Sequence, residues 1–226
     1  MVPIIDIDVV IPVRDVDRYL AETLDTVLQQ GGVECAVVVV DAGSVQPVEL
    51  EARHAEHPRI RLVRSPEPLT CGGARNVGVA LGSASWLTFV DADDLWPEQS
   101  RAQLLAACER ASAELAAGMI TNFGSLADAA ALVIPDGKRR ALVAGGVVVA
   151  RSAWDAVGGF DPKLNAGEFL DWYNRFVISG RPSTQIDDVV LQRRIHQEST
   201  TAKQARQGAR DDYLEVVRRW MRQKPS

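Results

Sequence analysis

Apolar residues in the first hundred positions form short continuous runs, and these runs alternate with segments of helical spacing. Continuous runs rich in valine and isoleucine are typical of strands that are covered on both faces of a parallel sheet. Leu20, Leu24 and Val27 instead repeat at the spacing of one helix face. The predicted strands cover residues 7–13, 35–40, 59–63 and 87–90, and the predicted helices cover 17–30, 48–56 and 74–81.

This alternation of strands and helices predicts an α/β fold with a single, mostly parallel sheet and helices on both faces. Ligands of such sheets bind beyond the carboxyl ends of the strands. Polar groups follow three of the predicted strands, at residues 12–15, 41–44 and 91–94. Three polar strand ends at the same edge of the sheet predict a ligand site there.

The second half of the chain is patterned less regularly. We predict helices at 97–117, 151–157, 168–179 and 203–222, strands at 119–123, 142–149 and 185–194, and a turn at 135–137. The alanine-rich segment 125–133 has no clear period. Because no repeat, low-complexity segment or linker interrupts the chain, we expect one domain over residues 1–226.

Three carboxylates follow the strand predicted at 87–90. Asp91, Asp93 and Asp94 lie within four positions, and like charges that close repel unless a cation or a set of donors offsets them. A divalent cation that also holds a diphosphate needs only one or two protein carboxylates. The alternative is that Asp93 or Asp94 caps the helix predicted from Pro97. The spacing alone leaves both interpretations open.

The composition, with 46% hydrophobic and 24% charged residues, is that of an ordinary globular protein. A net charge of −5 without a basic block argues against nucleic acid as a partner. Three widely spaced cysteines argue against a disulfide framework and a cysteine zinc site, and favour a reducing compartment. We see no signal peptide and no apolar run of the ~18 residues that a membrane span needs, so we expect a cytoplasmic protein.

Two common nucleotide motifs, G-x-G-x-x-G and G-x-x-x-x-G-K-[ST], are absent. Seven other segments occur in order: VVIPV at 9–13, VVDAGS at 39–44, GARNVG at 73–78, FVDADD at 89–94, GGFD at 158–161, EFLDWYNR at 168–175 and RRIH at 193–196. Together they resemble the family 2 glycosyltransferases of the GT-A fold over nearly the whole chain. The resemblance implies transfer of a sugar from a nucleoside diphosphate sugar, usually with Mg²⁺ or Mn²⁺ and inversion at the anomeric carbon.

The resemblance implies that the nucleotide lies at the first two strand ends. Pro12, Val13, Arg14 and Asp41 would hold the base, and a carboxylate can accept a hydrogen bond from a ring N–H. Arg75 would contact a base edge or a phosphate, which suits a planar charged group. The alternatives are that Asp41 only shapes a turn and that Arg75 is a surface charge.

The segment Asp91-Ala92-Asp93 matches the family's D-x-D motif. The resemblance implies that Asp91 reaches the ribose and that Asp93 binds the cation bridging the diphosphate. His196 matches a histidine that completes the metal shell in many members, where a neutral imidazole is the ligand. A histidine without any ligand role is the alternative.

The general base is the least certain assignment, because the chain departs from the family there. Glu168 matches the family's Glu, but Phe169 stands where the catalytic Asp is expected. Glu168 and Asp171 are three residues apart, hence on one helical face, and we keep both as candidates. The alternative is that both acids merely interact with the helix dipole. Ala42 is a second departure, at a common Asp position.

The leading hypothesis is a metal-dependent, inverting glycosyltransferase with a nucleotide-binding half at 1–100, an acceptor-side half at 101–200 and a C-terminal helix at 201–226. The donor is most expected to be a UDP-sugar. A lipid carrier, a glycan, a metabolite and a peptide are all open as acceptors, and so are a homodimer and attachment at the membrane periphery. The alternative is a GT-A scaffold that binds nucleotide or a protein without transfer. A nucleotidyltransferase would need a glycine-rich basic loop after the first strand, which is absent.

Overall fold

The computed structural model describes residues 5–15, 17–124, 137–140, 142–196 and 210–223. Its strands are β1 (Ile7–Val13), β2 (Cys35–Asp41), β3 (Ile60–Arg64), β4 (Trp86–Phe89), β5 (Leu115–Gly124), β6 (Arg139–Arg140), β7 (Val147–Ala150) and β8 (Ser183–Ile195). Its helices are α1 (Leu20–Leu28), α2 (Ala52–Ala55), α3 (Cys71–Ala80), α4 (Ser100–Ala111), α5 (Arg151–Val157), α6 (Glu168–Ile178) and α7 (Arg210–Gln223), with a 3-10 turn at Ala144–Gly146. None of these helices is both long and apolar enough to cross a membrane.

The eight described strands form one sheet with the order β3-β2-β1-β4-β7-β5-β6, and β8 also pairs with β5. The pairs β1–β2, β1–β4, β2–β3 and β5–β8 are parallel, whereas β7 runs antiparallel to both β4 and β5. The expected single, mostly parallel sheet is therefore confirmed. Because β8 pairs with β5, residues 193–196 at its end lie at the edge of the sheet where β4 ends.

Apolar side chains on both faces of the sheet are buried. Val10 and Val38 pack in one core cluster with Phe89 and Trp172. Val9, on the opposite face of β1, packs in a second cluster with buried residues of β2 and α1. This division follows from the strand period of two residues, which sends successive side chains to opposite faces. Helices therefore cover both faces, as predicted.

Helix α3 lies unusually close to the sheet. A Cβ atom added to Gly78 would stand 2.3 Å from Cγ1 of Val10, so only glycine fits at this contact. The small residues of α3 allow this close approach. The helix begins at Cys71, three residues earlier than predicted, because the Thr70 hydroxyl accepts a hydrogen bond from the amide of Gly73 at 3.1 Å.

The boundary between α4 and β5 differs from the prediction. Helix α4 ends at Ala111, followed by Ser112 at φ 48°, and β5 begins at Leu115, within the predicted helix 97–117. Residues 115–117 form ladders with β7 and β8. The apolar pattern there suits a buried helix or a buried strand equally, and the neighbouring strands decide between them.

Other bounds also moved. The helix predicted at 48–56 is reduced to α2, and the strand predicted at 142–149 is divided into the 3-10 turn and β7. The turn forms where Gly145 approaches Leu191, whose Cδ2 would lie 3.1 Å from an added Cβ. The terminal helix is described from residue 210 only. Segment 125–133 and most of the turn at 135–137 lie outside the described residues.

Arg101 on α4 is a fully buried charge behind this edge of the sheet. Its guanidinium donates to the Val190 carbonyl at 2.6 Å, to the Thr88 hydroxyl at 3.1 Å and to the Gly145 carbonyl at 3.3 Å. It also lies 4.1 Å from the ring centroid of Trp96. Burial lowers the pKa of Arg101 to about 9, so it is protonated at neutral pH. One side chain thus ties β4, the 3-10 turn and β8 together.

Candidate active site

A cavity of about 570 Å³ lies at the carboxyl ends of β1 and β4 and beside the start of α6. Nine of the predicted site residues line it: Pro12, Val13, Arg14, Arg75, Asp91, Ala92, Asp93, Glu168 and His196. This is the edge where ligands of parallel sheets bind. Two further predicted residues, Asp41 and Asp171, are not part of its wall.

Asp93 and His196 meet on the cavity wall although they are 103 residues apart in the chain. Nε2 of His196 lies 2.8 Å from Oδ2 of Asp93, and its Nδ1 lies 3.5 Å from Nη2 of Arg18. The imidazole is buried, with the ring of Tyr19 at 5.2 Å. Burial and the charge of Asp91 raise the pKa of Asp93, and His196 opposes this shift.

The pair formed by Asp93 and His196 fits one kind of metal site. In the part of the chain that the structure describes, no group of three or more His, Cys, Asp or Glu side chains is arranged to hold a metal ion. Two converging oxygen and nitrogen donors suit a cation that takes its remaining ligands from a diphosphate and water. A closed structural site of four protein ligands does not fit these residues.

Arg75 on α3 joins the two sides of the cavity. Its Nη2 donates to Oδ1 of Asp91 and its Nη1 donates to Oε1 of Glu168, both at 2.6 Å. The side chain is buried, which disfavours its charge, but the carboxylates of Asp91 and Glu168 hold the pKa of Arg75 above its usual value. The alternative that Arg75 is a surface charge is wrong. Each of its two terminal nitrogens donates to a protein carboxylate.

Phe169, which stands where the resemblance implies a catalytic Asp, belongs to an aromatic cluster. Its ring centroid lies 6.4 Å from Phe160, 6.2 Å from Trp172 and 6.3 Å from Tyr173. Phe169 and Trp172 are buried, and Trp154 stacks on Trp172 at 5.5 Å. Apolar packing against α5 and α6 therefore fills the position, and the cavity receives no carboxylate from it.

Asp171 points away from the main cavity, towards α7. Its Oδ2 accepts a hydrogen bond from Nε of Arg175 at 3.1 Å, and its Oδ1 lies 3.7 Å from Nη1 of Arg219. It lines a second, smaller cavity of about 320 Å³ together with Trp220 of α7. Of the two candidate bases, only Glu168 faces the cavity that holds the other site residues.

Asp41 lies behind the cavity wall with both carboxylate oxygens occupied. Oδ1 accepts the amide of Ser44 at 2.8 Å, and Oδ2 accepts the amide of Val48 at 3.2 Å. Burial favours its neutral form, but these hydrogen bonds and the nearby Arg64 hold the pKa of Asp41 below its ordinary value. These contacts favour the alternative interpretation, in which Asp41 shapes the turn after β2. The cavity wall contains Ala42 instead.

Asp94 does not cap a helix, so that alternative is wrong. Helix α4 begins at Ser100, and its capping position is Gln99, which makes no side-chain cap hydrogen bond. Oδ1 of Asp94 instead accepts the amide of Arg194 at 2.9 Å. Burial, followed by the charges of its two neighbouring aspartates, raises the pKa of Asp94 well above its ordinary value. Asp94 therefore fastens the end of β4 to β8.

Two cavity residues, Arg193 and Arg194, were not singled out from the sequence. Both lie in the RRIH segment that contributes His196, so their position beside a predicted ligand was the available signal. Nε of Arg194 donates to the carbonyl oxygen of Asp93 at 3.0 Å. Spacing could not reveal this contact, because it depends on β8 lying beside the end of β4.

Comparisons with known proteins show the family to which the chain belongs. The family model described as Glycosyl transferase family 2 matches residues 8–136. Amylovoran biosynthesis glycosyltransferase AmsB of Erwinia amylovora is 32% identical over 110 residues, which are 47% of this chain and 36% of that protein. Pre-mycofactocin glycosyltransferase of Mycobacterium tuberculosis is 27% identical over 192 residues, which are 77% of this chain and 40% of that protein.

The structure is also similar to the crystal structure of S. aureus TarS 1-349 in complex with UDP-GlcNAc. The TM-score is 0.77 at 16% sequence identity, over 97% of this chain and 66% of that one. At this identity the likeness shows the fold, and the expected GT-A fold is confirmed. The chain spans about two fifths or less of the length of the two curated relatives.

Proposed function

Since the chain belongs to glycosyl transferase family 2, we propose that it transfers a sugar from a nucleoside diphosphate sugar to an acceptor. The observation that carries this proposal is the cavity in which Asp91, Asp93 and His196 line one part of the wall and Glu168 lines another. A UDP-sugar is the proposed donor, and the UDP-GlcNAc complex of TarS supports this choice. Pro12, Val13 and Arg14 are proposed to contact the nucleotide.

Asp93 and His196 are the residues proposed to hold Mn²⁺ or Mg²⁺. When bound, such an ion would stabilise the charge that develops on the leaving diphosphate. Asp91 is proposed to contact the ribose, because it lines the cavity and its side chain is 46% exposed. These assignments divide the D-x-D segment into a nucleotide contact and a cation ligand.

Glu168 is the proposed general base. It would accept the proton of the acceptor hydroxyl while that oxygen attacks the anomeric carbon and the diphosphate leaves from the opposite side, which inverts the configuration. Arg75 holds Oε1 of Glu168 at 2.6 Å and so orients the carboxylate. Asp171 is not proposed as the base, because its carboxylate faces Arg175 and Arg219.

A second candidate function is favoured by the same residues. The family's catalytic Asp is replaced by buried Phe169, and the remaining Glu168 is paired with an arginine. Both features suit a scaffold that binds nucleotide without transferring a sugar. The two functions share the donor site and differ only in whether a competent base is present.

Calorimetry and a turnover assay separate the two functions. UDP and a panel of UDP-sugars are titrated with and without Mn²⁺, and nucleotide release is then assayed with a broad acceptor panel. For the transferase, Glu168→Gln should lower release by about 10² to 10⁴-fold without abolishing UDP binding. Asp171→Asn, on the same helix, is the matched control and should retain activity.

The outcomes are distinct. Nucleotide binding without release by the wild-type protein across the panel would favour the scaffold. If Asp171→Asn loses nucleotide release and Glu168→Gln retains it, Asp171 and not Glu168 is the general base. If the protein binds no UDP or UDP-sugar under any condition, the proposed donor is wrong, and if it binds no nucleoside diphosphate at all, both functions are wrong.

A further inference from the structure

Arg194 at the end of β8 contacts both Asp93 and Asp94. Its side-chain Nε donates to the main-chain carbonyl of Asp93 at 3.0 Å, and its own amide donates to Oδ1 of Asp94 at 2.9 Å. Two residues further on, His196 contacts the carboxylate of Asp93 at 2.8 Å. These three contacts join the segment after β4 to the end of β8, in addition to the backbone pair of Leu95 and Gln192.

The Arg194 guanidinium is itself held tightly. Its carbon lies 4.2 Å from the ring centroid of Tyr19 and 4.5 Å from that of Phe123. Its Nη2 also forms an ion pair with Glu22 on α1. Only 15% of the side chain is exposed. Contacts from α1, β5 and the segment after β4 leave this side chain little rotamer freedom.

We propose that Arg194 is a positioning residue that sets the Asp93 and His196 side chains at the separation that a divalent cation requires. The proposal rests on the function proposed above, in which these two residues hold the cation. Arg194 fixes the main chain of Asp93 through its side chain and fixes the strand carrying His196 through its own backbone. The positions of both proposed cation ligands, Asp93 and His196, thus depend on one rigidly held residue.

The charge of Arg194 is compatible with this role. A guanidinium beside a cation site is unfavourable by itself, but the carboxylate of Glu22 offsets it and directs it towards α1. The planar guanidinium also serves Asp93 through Nε and Glu22 through Nη2 at the same time, whereas a lysine offers a single nitrogen. A lysine at this position should therefore replace the arginine only in part.

The competing role is direct contact with a phosphate, because Arg194 also lines the cavity. The two roles differ in one measurable respect. A phosphate ligand strengthens UDP binding with or without a metal. A residue that positions cation ligands strengthens only the part of UDP affinity that Mn²⁺ adds.

The test measures UDP affinity by calorimetry with and without Mn²⁺, and Mn²⁺ binding in the presence of UDP by electron paramagnetic resonance. The variants are Arg194→Met, Arg194→Lys and Glu22→Gln. Arg181→Met is the control, because Arg181 also forms an ion pair with a glutamate, Glu114, at 2.8 Å and does not line the cavity.

Arg194→Met should weaken the Mn²⁺-dependent gain in UDP affinity by about 10- to 100-fold and leave metal-free UDP affinity unchanged. Arg194→Lys should recover part of the loss, and Arg181→Met should behave as wild type. An equal loss with and without Mn²⁺ would identify a phosphate ligand and overturn the proposal. An undiminished Mn²⁺ effect in Arg194→Met would also overturn it.

Thermal melts show whether Arg194→Met folds. If it does not, Glu22→Gln decides, because it removes the ion pair that directs the Arg194 side chain towards α1 and keeps the charge of Arg194. It should then weaken the Mn²⁺-dependent gain, and a wild-type value overturns the proposal. If the wild-type protein binds UDP without any Mn²⁺ effect, the proposed metal ligands fail together with this inference, which differs from failure in the variants alone.

Discussion

The ion pairs of Arg75 offer a quantitative test of how the two sides of the cavity are linked. Arg75→Met removes one guanidinium from two carboxylates that each lie 2.6 Å away. The two partners differ in environment, since the Glu168 side chain is 13% exposed and that of Asp91 is 46% exposed. The coupling to Glu168 should therefore be much the larger.

The magnitudes follow from screening. For charge centres roughly 4 Å apart, an effective dielectric constant of ~20 gives about 4 kcal/mol, and bulk water gives about 1 kcal/mol. Glu168 is close to the first case and Asp91 approaches the second. After a share of desolvation, we expect coupling energies of about 2 to 3 kcal/mol for Arg75 with Glu168 and below about 1 kcal/mol for Arg75 with Asp91.

The assay is urea unfolding at neutral pH in the presence of a chelator. Two double-mutant cycles combine Arg75→Met with Glu168→Gln and with Asp91→Asn, and the linear dependence of unfolding free energy on urea gives each coupling energy. A coupling to Asp91 that equals or exceeds the coupling to Glu168 would refute this reasoning. The same data show whether the proposed base is held in place before any substrate binds.

Three further predictions concern stability. Gly78→Ala places a Cβ 2.3 Å from Val10 and should destabilise the protein by about 2 to 3 kcal/mol in urea unfolding, whereas Gly31→Ala, with 3.4 Å to its nearest neighbour, should be near neutral. Arg101→Met leaves several buried acceptors without donors and should cost about 2 to 4 kcal/mol; a melting temperature equal to wild type would contradict this. Asp41 has a lowered pKa when folded, so its contribution is present above its ordinary pKa and is lost as pH falls. The stability advantage of wild type over Asp41→Asn should thus shrink from pH ~5 to pH ~2, and a constant difference would show that Asp41 is not responsible.

Local pattern was most informative in the first ninety residues. The runs ending at Val13 and Asp41 are strands paired in parallel, and the third and fourth runs take their places on either side. Polar residues directly after these runs were therefore placed correctly at one edge. The physical reason is that a strand buried on both faces and the helix that follows it each leave a mark on consecutive residues. The order of apolar and polar positions therefore records both.

Pattern was least informative where distant segments compete. Residues 115–117 lie in a strand because β7 and β8 supply backbone partners for them, and no property of the run itself excludes a helix. Asp171 has the spacing of a residue beside Glu168, yet Arg219 of α7 approaches it from the other side. In both cases a partner from elsewhere in the chain decided the outcome.

The sequence by itself determined the fold class, the strand edge that carries the site, and the family to which the chain is similar. These follow from periodicity, from the polar strand ends, and from the order of seven short segments along the chain. Only the tertiary structure decided that Glu168 faces the cavity, that Arg75 bridges it to Asp91, and that His196 meets Asp93. These contacts join residues 93, 16 and 103 positions apart, so they exist only after the sheet has brought β4, α3, α6 and β8 together.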